Sequence, residues 1–295
     1  MTLSLSVIVD GVEHSLSDGS LTTFMSEDGL GMPSIVRFHE RGPLQRGSTD
    51  RGFSYKERIA SYVLGISASG SELADRRQNL VRIFRPTRSL IMRHVLDNGD
   101  DRRLDCVFFS GLDMPANDRE VGRFQKARIT IKADDPTYYD PVAKAITFQL
   151  GGGIGAWVFP WEIPWGIGAS SINQSIAINY DGDIAAYPTL IRITGPITDA
   201  VITNESTNEK LDFTGVTIAA GDYYDIDLRY GMKTIVDANG DDKFDDLSVD
   251  SDHATWHLAA DDEVYGGVNA INVSGNAITA LSKIEISYLD RYSAI

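Results

Sequence analysis

Only one cysteine, Cys106, stands in 295 residues, so no intrachain disulfide is available and synthesis in a reducing compartment is expected. No run of 18 apolar residues occurs, which excludes a membrane-spanning helix and gives no expectation of membrane insertion. The N-terminal MTLSLSVIVDGVEH lacks a basic region and alternates its apolar residues with serine. It is therefore not expected to be a signal peptide. Positive charge is scarce as well: the net charge is −15, the isoelectric point is near 4.7, and no sustained basic block occurs. Such a chain repels phosphate over most of its surface, which argues against direct nucleic-acid recognition.

The acidity is not evenly spread. Residues 1–150 carry 20 Lys+Arg against 20 Asp+Glu, whereas residues 151–295 carry 7 against 22. The neutral half also favours arginine, with 16 Arg to 4 Lys. Arginine forms bidentate ion pairs and is enriched at protein interfaces where lysine is depleted, so a contact surface is expected in the first half. Ordinary surface pairs with the 20 acids would give the same composition.

Period-2 alternation dominates, the pattern of half-buried strands. Leu3, Leu5, Val7 and Val9 oppose Ser4 and Ser6; Ala127, Ile129 and Ile131 oppose Arg128, Thr130 and Lys132. In the second half Tyr224, Ile226, Leu228 and Tyr230 oppose Asp225, Asp227 and Arg229, and Ile284, Ile286 and Tyr288 oppose Lys283, Glu285 and Ser287. Asn98-Gly99 and Asn239-Gly240 lie between candidate strands and read as hairpin turns. One helix is expected, with Leu73, Leu80, Val81 and Phe84 as its stripe, Ser71 as its cap and Pro86 as its stop. A glycine- and proline-rich stretch, GGGIGAWVFPWEIPWGIG, places a boundary near residues 141–165. The chain is accordingly divided into an N-terminal domain, 1–142, a linker, 143–165, and a C-terminal domain, 166–295. No internal repeat or low-complexity tract is visible.

Motifs with chemical meaning are few. GGGIGA, residues 151–156, fits a dinucleotide-binding spacing, but Pro160 and Pro164 forbid the helix that would hold a pyrophosphate; no cofactor is expected. Asp237, Asn239 and Asp241 stand at alternate positions, as calcium ligands do, yet Asp242 and Ser248 occupy the places where an EF-hand needs glycine and glutamate. Two readings stand there, weak calcium ligands or a solvated acidic hairpin. His253 and His257 are four apart without the glutamate of a zinc protease between them, and no third ligand is spaced to join them. No nucleophile elbow occurs, and Cys106 sits in the apolar alternation LDCVFF. The residues therefore offer no enzyme. Trp157, Trp161 and Trp165 recur every four residues among prolines; packing of the linker is preferred to sugar stacking for them.

The stretch RGPLQRGSTDRGF, residues 41–53, spaces Arg41, Arg46 and Arg51 five apart among glycines. With ADDPTYYDP, AYPTLIRITGPITDAVITNESTNEKLDF, AAGDYYDIDLRYGMKTI, DSDHATWHLA and VYGGVNAINVSG, it gives a series of blocks along most of the chain that resembles the distal tail proteins of long-tailed, siphovirus-type bacteriophages. These are strand and turn residues with no catalytic signature. The resemblance implies a mainly β protein: an N-terminal split β-barrel-like ring domain with one helix and an extended arm, then a C-terminal galectin-like (jelly-roll) β-sandwich. It implies a structural virion protein of the phage tail, assembled in the host cytoplasm, that forms a homo-oligomer, usually a hexameric ring. The implied partners are the tail tube protein, a tail-tip or fibre protein, and in an accessory role a receptor-binding protein. Arg41, Arg46 and Arg51 would then be intersubunit anchors on the arm. A carbohydrate-binding module and a tail tube protein are the alternatives.

Overall fold

Where alternation is strict, the backbone is extended, because a chain with one apolar face lowers its free energy by pairing that face over a core. The computed structural model describes residues 4–17, 23–68, 71–115, 119–120, 124–151 and 171–295, and it falls into two units. The first holds residues 1–141 together with 292–295, and the second residues 142–291.

In the first unit the elements run β1 (Ser4–Val9), β2 (Val12–Ser15), β3 (Thr23–Asp28), β4 (Ile35–Glu40), β5 (Thr49–Tyr55), β6 (Arg58–Ser67), α1 (Glu72–Ile83), β7 (Ser89–Val95), β8 (Asp101–Asp113), β9 (Arg119–Glu120), β10 (Phe124–Ala133) and β11 (Tyr138–Tyr139). The main sheet is ordered β2-β1-β7-β8-β10-β6-β3, a path whose two ends are not paired with each other among the described residues, and its strands are antiparallel. Leu5, Val7 and Val9 of β1, Leu90 and Met92 of β7, Leu104 of β8, and Ala127, Ile129 and Ile131 of β10 share one core.

Helix α1 covers that core with Leu73, Leu80 and Ile83. Val81, expected in its stripe, is instead 54% exposed. It follows Leu80 by one residue, about 100° around the helix, and Ile83 takes the inner position. Ser71 makes no side-chain cap bond, and the helix closes at Phe84, ahead of Pro86. The Asn98-Gly99 turn joins β7 to β8 with positive φ at Gly99 alone (+90°), while the Asn98 side chain accepts from the Asp100 amide.

A buried cation fastens this unit. Arg58, 3% exposed, donates to the carbonyls of Pro136 (2.7 Å), Gly29 (2.8 Å), Gly31 (2.5 Å) and Ser293 (2.6 Å), and its guanidinium lies 4.6 Å from the Tyr138 ring. Burial lowers its pKa below the ordinary value. Carbonyl dipoles and a ring face thus take the place of a counter-ion.

The second unit continues with β12 (Lys144–Gln149), β13 (Ser171–Asn179), β14 (Leu190–Thr194), β15 (Ile197–Asn204), β16 (Glu209–Ile218), β17 (Tyr223–Asp227), β18 (Thr234–Asp237), β19 (Val268–Asn276), β20 (Lys283–Tyr288) and the terminal β21 (Arg291–Tyr292), which straddles the division. A five-stranded sheet, β12-β20-β14-β17-β18, and a four-stranded sheet, β13-β19-β15-β16, share one core around Trp256. The register shows why: Ile191 stands between Ile226 and Ile286, facing inward, while on the outer face Arg192 stands between Asp225 and Glu285. Arg192 grips Asp225 at 2.6 and 2.7 Å. Residues 144–149, expected in a linker, are instead the edge strand β12, because Ile146, Phe148 and Leu150 alternate and Phe148 and Leu150 reach the core.

Candidate assembly interface

Among the described residues, strands β4 and β5 pair only with each other and form a two-stranded sheet of their own. No residue from 31 to 59 belongs to the hydrophobic core of the first unit. A two-stranded hairpin is marginally stable alone in water, so this one relies on its own cross-strand contacts. Arg37 pairs with Asp50 at 2.6 Å and stands 6.0 Å from the Phe53 ring; Arg51 pairs with Glu40 at 2.5 Å. Phe53 meets Tyr55 edge-on at 5.4 Å. The Gly52 amide, together with Arg37, holds the Asp50 carboxyl below its usual range. A bulge between Arg37 and His39 breaks the ladder, and Gly52, at φ +105°, lies opposite it in a conformation that side-chain-bearing residues rarely adopt.

The arm is hydrophobic as well as charged. Phe38 is 50% exposed, Phe53 48% and Leu44, at the tip, fully so. Large exposed apolar groups gathered on one element are a feature of interaction surfaces, which makes this hairpin the candidate interface.

The structure separates the three arginines expected to act together. Arg51 is spent on Glu40 within the hairpin, and Arg41 donates to the Gln45 carbonyl of its own turn at 3.4 Å. Arg46, exposed at the tip, has no ion pair among the described residues. The exposed phenylalanines beside them were missed in the sequence because Phe38 and Phe53 look like ordinary members of alternating strands. Their signal was that no other strand of the described residues pairs with theirs, which spacing does not reveal.

The remaining motifs have local roles. The Asp237 carboxylate accepts from the amides of Asn239 (2.9 Å) and Asp241 (3.0 Å) and faces Lys243 at 3.5 Å. These contacts keep its pKa low although burial opposes them. Asp237 therefore builds the turn at Gly240, and among the described residues no three His, Cys, Asp or Glu side chains converge on one point. His253 packs edge-on against Phe244 at 5.0 Å, while His257 bonds Glu263 at 2.9 Å and Glu209 at 3.1 Å beside Tyr187. Tyr230, expected to point inward in line with Leu228, is exposed past the end of β17 and donates to the Tyr187 hydroxyl at 2.8 Å. Cys106 is buried, which pushes its thiol up to about 12. Trp157, Trp161, Trp165 and residues 152–156 of GGGIGA lie outside the described residues.

No family model and no curated protein matches the chain. Solved structures do. The Dit (gp 19.1) protein of phage SPP1, described as a paradigm of the hub adsorption apparatus in phages infecting Gram-positive bacteria, superposes with a TM-score of 0.65 at 14% identity. The match covers 97% of this chain and 98% of that one, so the two proteins share a fold. A chain of the phage p2 baseplate in its activated conformation with Sr gives 0.48 at 10% identity, with coverage of 97% and 98%.

Proposed function

We propose that this protein is a structural component of a phage tail, the hub ring at its distal end, joining the tail tube protein to the tail-tip or fibre protein. The observation that carries the reading is the fold shared with the SPP1 hub protein along 97% of the chain. The arm of residues 34–56 adds to it, because an exposed hairpin with apolar flanks and a charged tip suits a grip on a neighbouring copy. The first unit is the ring-forming part, usually six copies in this fold family, and its even charge suits two unlike patches in a closed heterologous ring. The second unit, a galectin-like sandwich with the excess of acids, is available to a receptor-binding protein. The protein works by assembly, without catalysis or cofactor, in the virion tail after assembly in the host cytoplasm.

Light scattering after size exclusion tests this directly. A mass on the order of 190 kDa, six copies of the 32.3 kDa chain, is expected. A monomer at every concentration would count against a self-assembling ring.

A further inference from the structure

The outward stripe of α1 carries a second candidate contact. Arg77 and Arg82, with Arg85 just beyond the helix, line a cavity of about 490 Å³ together with Val81 and Met114. None of the three arginines has an ion pair among the described residues, although acids outnumber bases by 42 to 27 in the whole chain. The Arg77 Nε–H donates to the Met114 sulfur at 3.3 Å. Val81, 54% exposed, gives the groove an apolar floor.

The complementary surface lies in the second unit. The segment DDKFDDLSVD, residues 241–250, exposes Asp241, Asp242, Asp245 and Asp250, with Phe244 47% exposed and Val249 fully exposed. Asp237 and a short 3₁₀ turn at Phe244–Asp246 fix its shape. The groove, with three arginines that have no ion pair among the described residues beside an apolar side chain, and the preformed acidic loop with its apolar side chains are thus opposite in charge and alike in hydrophobicity.

We propose that the 241–250 loop of one copy seats in the α1 groove of the next. This rests on the ring assembly proposed above and names a contact within it. Contact between unlike patches closes a ring when the rotation allows. Because the chain carries −15 overall, most mutual orientations of two copies repel, so the groove both attracts and orients.

Charge reversal in both partners tests the pairing. One variant carries Arg77→Glu, Arg82→Glu and Arg85→Glu; the other carries Asp241→Lys, Asp242→Lys and Asp245→Lys. All but Arg77, which is half-buried, are exposed, and the pair Arg82→Glu and Asp245→Lys serves as a milder set. Each variant alone should associate at least tenfold more weakly than the native chain by light scattering in 50 mM NaCl. Mixed one to one, they should regain the native mass, since every groove then meets a loop of opposite charge. The native association should also weaken in 500 mM NaCl. Native mass in both single variants overturns the groove contact, as does loss of mass without recovery on mixing. The native protein's own mass reports on the ring separately: a six-copy mass with indifferent groove variants sinks this contact and spares the ring, whereas a native monomer sinks both.

Discussion

Arg51 reaches back across eleven residues to Glu40 and pairs with it at 2.5 Å, so one of the three regularly spaced arginines serves the arm's own shape. Arg46 at the tip keeps its charge unpaired among the described residues. The arm therefore combines side chains that hold its own shape with an exposed arginine that takes no part in holding it.

The first prediction follows from that division. Arg46→Ala should leave the denaturant midpoint nearly unchanged, because an exposed arginine without a partner contributes little to stability, within about 0.5 kcal/mol. Replacing Arg41, Arg46 and Arg51 together by alanine, or Phe38 and Phe53 by serine, should lower the assembled mass while far-UV circular dichroism stays native. Native mass in both variants would remove the arm from the interface.

Arg58 should behave in the opposite way. Its guanidinium satisfies four carbonyls in a buried site, so Arg58→Ala leaves several acceptors without donors. A loss of about 3 kcal/mol in urea unfolding is expected. Arg58→Lys should recover only part of it, since a single ammonium does not reproduce the planar fork. An alanine variant of native stability would show that the carbonyls find other donors.

Two histidines should titrate with opposite signs. His94 is buried against Tyr62, whose hydroxyl lies 3.2 Å from its Nε2; burial and the nearby charge of Arg58 bring its pKa down to about 4. Unfolded, it titrates near 6.5. Between these values the unfolded chain binds the extra proton, so the contribution of neutral His94 is complete above about pH 6.5 and fades as pH falls toward about 4. The loss amounts to roughly 3 kcal/mol at most, and His94→Gln should flatten the slope. At His257 burial opposes the charge, but the Thr255 carbonyl, Glu263 and Glu209 outweigh it and raise the pKa. Its contribution is therefore present below the unfolded value and lost as pH rises through the folded one; Glu263→Gln should diminish that change. Urea midpoints measured from pH 4 to 8 check both.

Trp256 tests the sandwich core. It is fully buried, and its indole N–H has no hydrogen-bond partner among the described residues. Trp256→Ala should cost about 3–5 kcal/mol by opening a cavity. Trp256→Phe should cost clearly less, because it keeps most of the volume and removes an unsatisfied donor. Equal losses would mean that ring volume is not what the site requires.

The sequence by itself determined the strands and their inward faces. Ala127, Ile129 and Ile131, or Ile284, Ile286 and Tyr288, are buried as their alternation requires, because in an extended chain the direction of a side chain is set by parity alone. Composition likewise placed the acids in the second half. Tertiary structure decided everything that depends on which strand meets which. It joined β12 to a sheet where a linker was expected, turned Val81 outward, and paired β4 with β5 in a sheet of their own among the described residues. It paired Arg51 with Glu40 and left Arg46 without an ion pair among the described residues, a distinction invisible in five-residue spacing. Local pattern fixes the face a residue presents. Its partners come from elements distant in the chain, and pairing among them is settled by the whole core at once.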